Sequence, residues 1–151
     1  DALSRYEEVM VEARIPGREA TCGVIERYRG DTLYSLPPVE IVPPSDAEFF
    51  DNACKFSGAT QEICPARFEH AVKDELMRIA KIVHRTLDLA QYSRSDFIIA
   101  DDGIYFLEVN TLPGLTKESI FPKALQAVGS NYTDFITHLL TDTLTHRPRK
   151  C

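Results

Sequence analysis

No apolar run in this 151-residue chain approaches the ~20 residues that a membrane-spanning helix requires, and no membrane association is expected. The opening residues, Asp1-Ala2-Leu3-Ser4-Arg5, lack the charged and then apolar pattern of a signal peptide. Clustered basic charge is lacking too: the 17 Lys and Arg residues are scattered and outnumbered by 23 Asp and Glu, for a formal net charge of -6. A nucleic-acid surface needs Lys and Arg gathered on one face, so nucleic acid is not an expected partner. The cysteines, Cys22, Cys54, Cys64 and Cys151, show neither CxxC spacing nor a His pairing suited to zinc, and they read as free thiols in a reducing, cytoplasmic compartment. Cys54 and Cys64 could approach each other in space, but a chain this rich in apolar residues requires no disulfide. Internal repeats and low-complexity segments are absent as well. What remains, 44% hydrophobic and 26% charged residues, is the composition of one soluble globular domain with a real core.

The chain opens without an initiator Met and moves almost at once into "VMVEARI", so it reads as a piece of a longer polypeptide. Val9 to Ile15 alternates and ends at Pro16-Gly17, after which "REATCGVIERY" reads as the second strand of a hairpin. "TLYSLPPVEIVPP" is extended but interrupted by Pro37, Pro38, Pro43 and Pro44, which suits an edge strand. Asp46 to Pro65 reads as a long loop, and a loop of that length in a compact domain is usually functional. From Arg67 to Leu89, Phe68, Val72, Leu76, Ile79, Val83 and Leu87 recur at helical spacing and predict an amphipathic helix. Ile120 to Val128 predicts a short helix ended by Gly129. Ser130 or Asn131 can cap a last helix that uses Phe135, Ile136, Leu139, Leu140 and Leu144. His70, His84, His138 and His146 fall on helical segments and are assigned surface or boundary roles. Strands with two or three helices and no βαβ alternation predict an α+β fold, a mainly antiparallel sheet packed on one side by helices.

The other side of that sheet is where chemistry concentrates. In "FIIADDGIYFLEVNTLPG", a three-residue loop Asp101-Asp102-Gly103 pairs Ala100 with Ile104. Counting back sets Ile98 against Phe106, Asp96 against Glu108 and Arg94 against Asn110, all on one face. Phe97, Ile99, Tyr105, Leu107 and Val109 then form the core face. Two carboxylates directly opposite each other repel, so a cation is expected between them. Asp, Glu and Asn offer oxygen alone, which suits a hard divalent ion held together with substrate phosphates. The plainer alternative is a solvated hairpin with a polar outer face.

At "FLEVNTLPGLTKESIFPKALQAVG" the sequence resembles the carboxy-terminal part of D-alanine–D-alanine ligases, members of the ATP-grasp superfamily. "VEARIPGRE" resembles the family's adenosine-binding strand and turn, "FFDNACKFS" its mobile loop, "CPA" the tripeptide before the helix, and "SRSDF" the strand entering the metal site. The resemblance implies an ATP-grasp carboxy-terminal lobe over residues 1–147, followed by a tail at 148–151. It implies that Glu12 and the backbone near Ile15 hold the adenine, that Glu19 binds the ribose hydroxyls and that Lys55 reaches the phosphates. Asp96, Glu108 and Asn110 would hold two Mg²⁺ ions, or Mn²⁺ in their place. Arg94 and the Gly114 N–H would stabilise an oxyanion, and Ser119 with the Ile120 amide would bind the second substrate's carboxylate. The implied reaction is ATP-dependent joining of two D-alanines through an acyl phosphate, for peptidoglycan precursors. The implied partners are ATP, D-alanine, the rest of the same polypeptide and, in the full-length protein, a second copy in a homodimer.

Singly, each residue has a plainer reading: Glu12 and Glu19 as strand-edge carboxylates, Lys55 as a solvated loop cation, Arg94 as a surface partner of Asp96, Ser119 as a helix cap. Their joint order and spacing favour the ligase. Two departures stand out. Ala13 follows Glu12 where the family often has a longer side chain, and Phe56 follows Lys55 where dipeptide-forming members usually have Tyr. The second leaves D-lactate open as the second substrate. The chain could also belong to an ATP-grasp ligase that joins a different carboxylate and amine, or to a binding module that keeps the fold without the chemistry. The family's amino-terminal substrate domain and first ATP-binding lobe have no counterpart motifs here, so weak nucleotide binding and no turnover are expected of this chain alone.

Overall fold

The computed structural model describes residues 4–44 and 60–146. The strands are β1 (Arg18–Glu26), β2 (Leu33–Ser35), β3 (Val39–Val42), β4 (Gln61–Ile63), β5 (Tyr92–Ala100) and β6 (Gly103–Asn110). The helices are α1 (His70–Thr86), α2 (Ile120–Ala127) and α3 (Tyr132–Thr145). All strand pairs are antiparallel, in the order β4-β3-β1-β5-β6, with β2 also on β1. This is the expected α+β architecture.

The helices divide between the two faces, whereas one covered face was expected. Ala20, Cys22 and Val24 of β1 and Phe97 of β5 pack with Phe68, Leu76 and Ala80 beneath α1. Alternation turns Ile25 and Tyr92 the other way, onto Phe121, Ala124 and Leu125 of α2 and Phe135 of α3. Gly23 makes that second contact close, since a Cβ there would stand 2.8 Å from the Phe121 ring and 2.9 Å from Leu36. Helices α2 and α3 cover only this end of the face. Among the described residues, the remainder, around Glu19, Thr21 and Asp96, lines a cleft.

Residues 9–15 form no strand, and Met10 and Val11 are 79% and 90% exposed. The reason is topological: one edge of β1 is taken by β2 and β3 and the other by β5, so the expected hairpin partner has no edge to join. Strand β3 is likewise no edge strand, because β4 pairs with it. That partner lies inside the segment read as one long loop.

Helix α1 is shorter than Arg67–Leu89, and its buried residues are Leu76, Ala80 and His84, while Leu87 is 53% exposed. His84, expected near the surface, is 1% exposed and shares a hydrogen bond of 2.8 Å between Nδ1 and the Ser93 hydroxyl. At the end of α2, Gly129 takes φ +69, its N–H donates to the Gln126 carbonyl and the Ser130 N–H donates to that of Leu125, a Schellman ending. Asn131 caps α3 by accepting from the Asp134 N–H at 2.9 Å. Phe135 is buried as expected, but Leu140 and Leu144 are 62% and 88% exposed.

Two buried carboxylates tie the layers together. Asp142 of α3 accepts two bonds from Arg27, at 2.5 and 2.6 Å. Glu40 of β3 accepts from Arg18 at 2.7 Å and from Arg67 at 3.2 Å. The Arg27 bonds hold Asp142 below its ordinary pKa; burial alone would raise Glu40, and the bonds from Arg18 and Arg67 outweigh it. Both values are depressed on folding, so the stability they contribute is present above an ordinary carboxylate value of ~4 and is lost as pH falls through the folded values. Asp142→Asn is expected to lose about 2 kcal/mol at pH 7. Urea midpoints at pH 7 and pH 3 should show the gap to the native chain narrowing in acid.

Candidate active site

Strand register builds the site from three neighbouring strands. Thr21 of β1 stands opposite Asp96 of β5, and Asp96 stands opposite Glu108 of β6. One step along, Gly23, Arg94 and Asn110 form the next row, and one step back Glu19 faces Ile98. The pairs Asp96–Glu108 and Arg94–Asn110 are those expected, but the route to them differs. The turn holds two residues, so Ala100 pairs with Gly103 and Ile98 with Tyr105. A bulge then adds Leu107 to β6 and restores the count before Asp96. Tyr105 and Leu107, expected in the core, are 37% and 46% exposed because β6 is the edge of the sheet.

Arg94 forks onto Asp96, Nε to Oδ1 at 2.9 Å and Nη2 to Oδ2 at 2.8 Å. The Thr21 hydroxyl donates to the same Oδ1 at 2.6 Å. The bond to Asp96 raises the Arg94 pKa, burial opposes it, and the charges of Asp96, Glu108 and Glu19 add to the rise. The guanidinium is a permanent cation set among three carboxylates.

These groups line an open cleft of about 950 Å³ that brings together Glu12, Ile15, Glu19, Arg94, Asp96, Glu108, Gly114, Ser119 and Ile120. Register and chain order give its long axis. Ile15 precedes the Glu19 end of β1, Thr21, Asp96 and Glu108 mark the middle, and the Arg94 row runs under the start of α2. Ser119 holds the N-cap position of α2 yet makes no capping bond with its side chain. Its hydroxyl instead meets that of Thr116 at 2.9 Å. The first-turn N–H groups of α2, with no acidic residue among them, are therefore left to meet an anion. Gly114 lies so close that a Cβ on it would stand 2.9 Å from Ser119 Oγ.

Asn110 shares the face but does not line the cleft; its Oδ1 accepts from the Leu112 N–H at 3.0 Å. Lys55, and with it Phe56, lies outside the described residues. Sequence reasoning missed Met10, Thr21, Ile41, Glu62 and Leu107 as cleft residues, whereas counting alone places Phe106 on the site face. The bulge at Leu107 is what brings Leu107 to the cleft beside Glu108, and a pattern of strict alternation cannot show it.

The donor set fits a hard divalent cation: two carboxylates and a carboxamide, all oxygen, at the open part of a sheet. Among the described residues no cluster of three or more His, Cys, Asp or Glu forms a cage for a metal. A Mg²⁺ ion is commonly held by one or two carboxylates and completes its shell with water and phosphate oxygens. No helix among the described residues is long and apolar enough to cross a membrane.

A family model described as "D-ala D-ala ligase C-terminus" matches residues 1–141. The D-alanine–D-alanine ligase of Desulfotalea psychrophila is 42% identical over 134 residues, covering 87% of this chain and 41% of that protein. Among solved structures, D-alanyl-alanine synthetase A from Vibrio cholerae matches with a TM-score of 0.74 at 28% identity, covering 88% of this chain and 40% of that one. D-alanine–D-alanine ligase from Bacillus anthracis complexed with ATP matches with a TM-score of 0.69 at 28% identity, covering 87% of this chain and 41% of that one. The chain thus spans about two fifths of the length of these relatives. Fold and sequence agree, and the chain belongs to the carboxy-terminal domain family of D-alanine–D-alanine ligases.

Proposed function

We propose that this chain is the ATP- and Mg²⁺-binding lobe of a cytoplasmic, homodimeric ligase that joins D-alanine to D-alanine through an acyl phosphate, for peptidoglycan precursors. Residues 1–147 form the lobe and 148–151 a tail. The remaining parts of the site come from the rest of the polypeptide, so the isolated lobe binds nucleotide weakly and does not turn over. The observation that carries the reading is the row Thr21–Asp96–Glu108 beside Arg94, on an open face that leads to the start of α2.

Most of the chemical needs have a residue in the cleft. Met10, Phe106 and Leu107 offer apolar surface to a flat base, with Glu12 and the Ile15 backbone for its polar edge. Glu19 accepts from the ribose hydroxyls, and Lys55, outside the described residues, is assigned to the phosphates by the family resemblance. Asp96 and Glu108, with Asn110, would hold two Mg²⁺ ions, and Mn²⁺ suits the same oxygen donors. Held there, the ions would supply neutralisation of the charge on the transferred phosphoryl group. A carboxylate oxygen of the first D-alanine attacks the γ-phosphorus and ADP leaves. The amine of the second D-alanine then attacks the acyl carbon, and the phosphate departs with that oxygen. Arg94 and the Gly114 N–H donate to the oxyanion in between, and preorganised donors of this kind are worth a large part of such a barrier. Ser119 and the Ile120 N–H hold the carboxylate of the second D-alanine at the positive end of α2.

The full-length polypeptide, supplied with ATP, Mg²⁺ and D-alanine labelled with ¹⁸O in its carboxylate, is expected to release phosphate carrying one ¹⁸O for each dipeptide formed. Dipeptide with unlabelled phosphate would contradict the acyl phosphate, and the absence of D-alanine-dependent ADP release would contradict the ligase. Gly114→Ala is expected to push Ser119 aside and raise KM for the second D-alanine about tenfold, a change that initial rates against D-alanine concentration will detect.

A further inference from the structure

We propose that Thr21 is a positioning residue of the metal–phosphate face: its hydroxyl holds Oδ1 of Asp96 so that the carboxylate offers Oδ2 to the cation. The inference rests on the ligase reading and adds a residue to which neither motif nor family resemblance assigned a role.

Thr21 is 3% exposed, and its site-facing position on β1 is set by its register against Asp96. A threonine hydroxyl carries a single proton. The contact to Asp96 Oδ1 at 2.6 Å is much shorter than that to the Ser95 carbonyl at 3.2 Å, so the proton belongs to the carboxylate. A carboxylate has about four acceptor positions, two on each oxygen. Thr21 and Arg94 Nε take both on Oδ1, and Arg94 Nη2 takes one on Oδ2. Among the described residues these are the bonds Asp96 accepts, and the position left over is on Oδ2.

The two anchors do different work. Arg94 lies two residues away on the same strand, so it can swing together with Asp96. Thr21 belongs to the neighbouring strand and ties the carboxylate to the rigid centre of the sheet. Packing at this place asks only for a β-branched side chain, which valine would supply. The hydroxyl is needed by Asp96 rather than by the core. Groups that orient a metal ligand typically contribute about 10–100-fold in metal affinity.

The test is Mn²⁺ binding by the full-length polypeptide in the presence of ADP, read from the loss of the free Mn²⁺ paramagnetic signal. Native protein, Thr21→Val, Thr21→Ser and Asp96→Asn are compared, each with its thermal midpoint. The proposal expects Thr21→Val to weaken Mn²⁺ binding about tenfold or more, with Thr21→Ser returning to within about threefold of native. Native affinity in Thr21→Val, beside lost affinity in Asp96→Asn, would overturn the role of Thr21 and leave the ligase reading standing. Equal loss in the valine and serine variants with lowered thermal midpoints would assign Thr21 to structure alone and also overturn it. Native affinity in Asp96→Asn would overturn both.

Discussion

Asp96→Asn in the full-length polypeptide is expected to lower kcat/KM for ATP-dependent ligation by roughly a thousandfold, about 4 kcal/mol of transition-state stabilisation. The carboxamide oxygen keeps the bonds from Thr21 and Arg94 Nε, but the amide NH₂ now faces Arg94 Nη2 donor to donor, so the second prong of the fork is lost. What disappears is the anion that balances a divalent cation. Its cross-strand neighbour should respond less, because Glu108 is exposed and water can take part of its place; Glu108→Gln is expected to cost roughly a hundredfold. Steady-state rates against Mg²⁺ concentration separate the causes, since a lost ligand shifts the metal dependence and a folding defect does not. A loss below tenfold in Asp96→Asn would mean that the face does not hold the reacting phosphates.

Arg94→Lys should show the second large effect, a fall in kcat of about 100–1,000-fold with a much smaller change in KM for ATP. Lysine keeps the charge among Asp96, Glu108 and Glu19 but cannot reproduce the two-pronged bond at 2.9 and 2.8 Å. It therefore preserves the fold and loses the aimed donor. Arg94→Ala removes the charge as well and leaves carboxylates opposed across β5 and β6, so a drop of about 1–3 kcal/mol in stability should accompany the lost rate. Thermal midpoints beside kcat distinguish the two variants. Native kcat in Arg94→Lys would contradict an oxyanion role.

Much of this site was legible because it depends on row membership rather than on contact. Asp96, Glu108, Arg94 and Asn110 were placed in their rows from counting alone. The count succeeded through two departures that cancel, a turn one residue shorter than expected and a bulge that adds Leu107 to β6. Periodicity carries no information about such a bulge, so Tyr105 and Leu107 were assigned to the core although both are exposed. Helix α1 was legible from spacing, but its buried line runs through Leu76, Ala80 and His84 because the core beneath is set by β1 and β5, which one helix cannot announce. The segment from Val9 to Ile15 has the alternation of a strand, and only the full pairing of β1 shows why no strand forms. Thr21 was invisible for a similar reason: a threonine in a strand signals nothing until its partner across the sheet is known.

The most direct test of the account is calorimetric titration of the full-length polypeptide with Mg²⁺–ADP, beside an Asp96→Asn, Glu108→Gln double variant whose thermal midpoint shows it folded. The account predicts binding that requires Mg²⁺ in the native protein and is lost in the variant. Equal binding by both proteins, or native binding that persists without the metal, would contradict it.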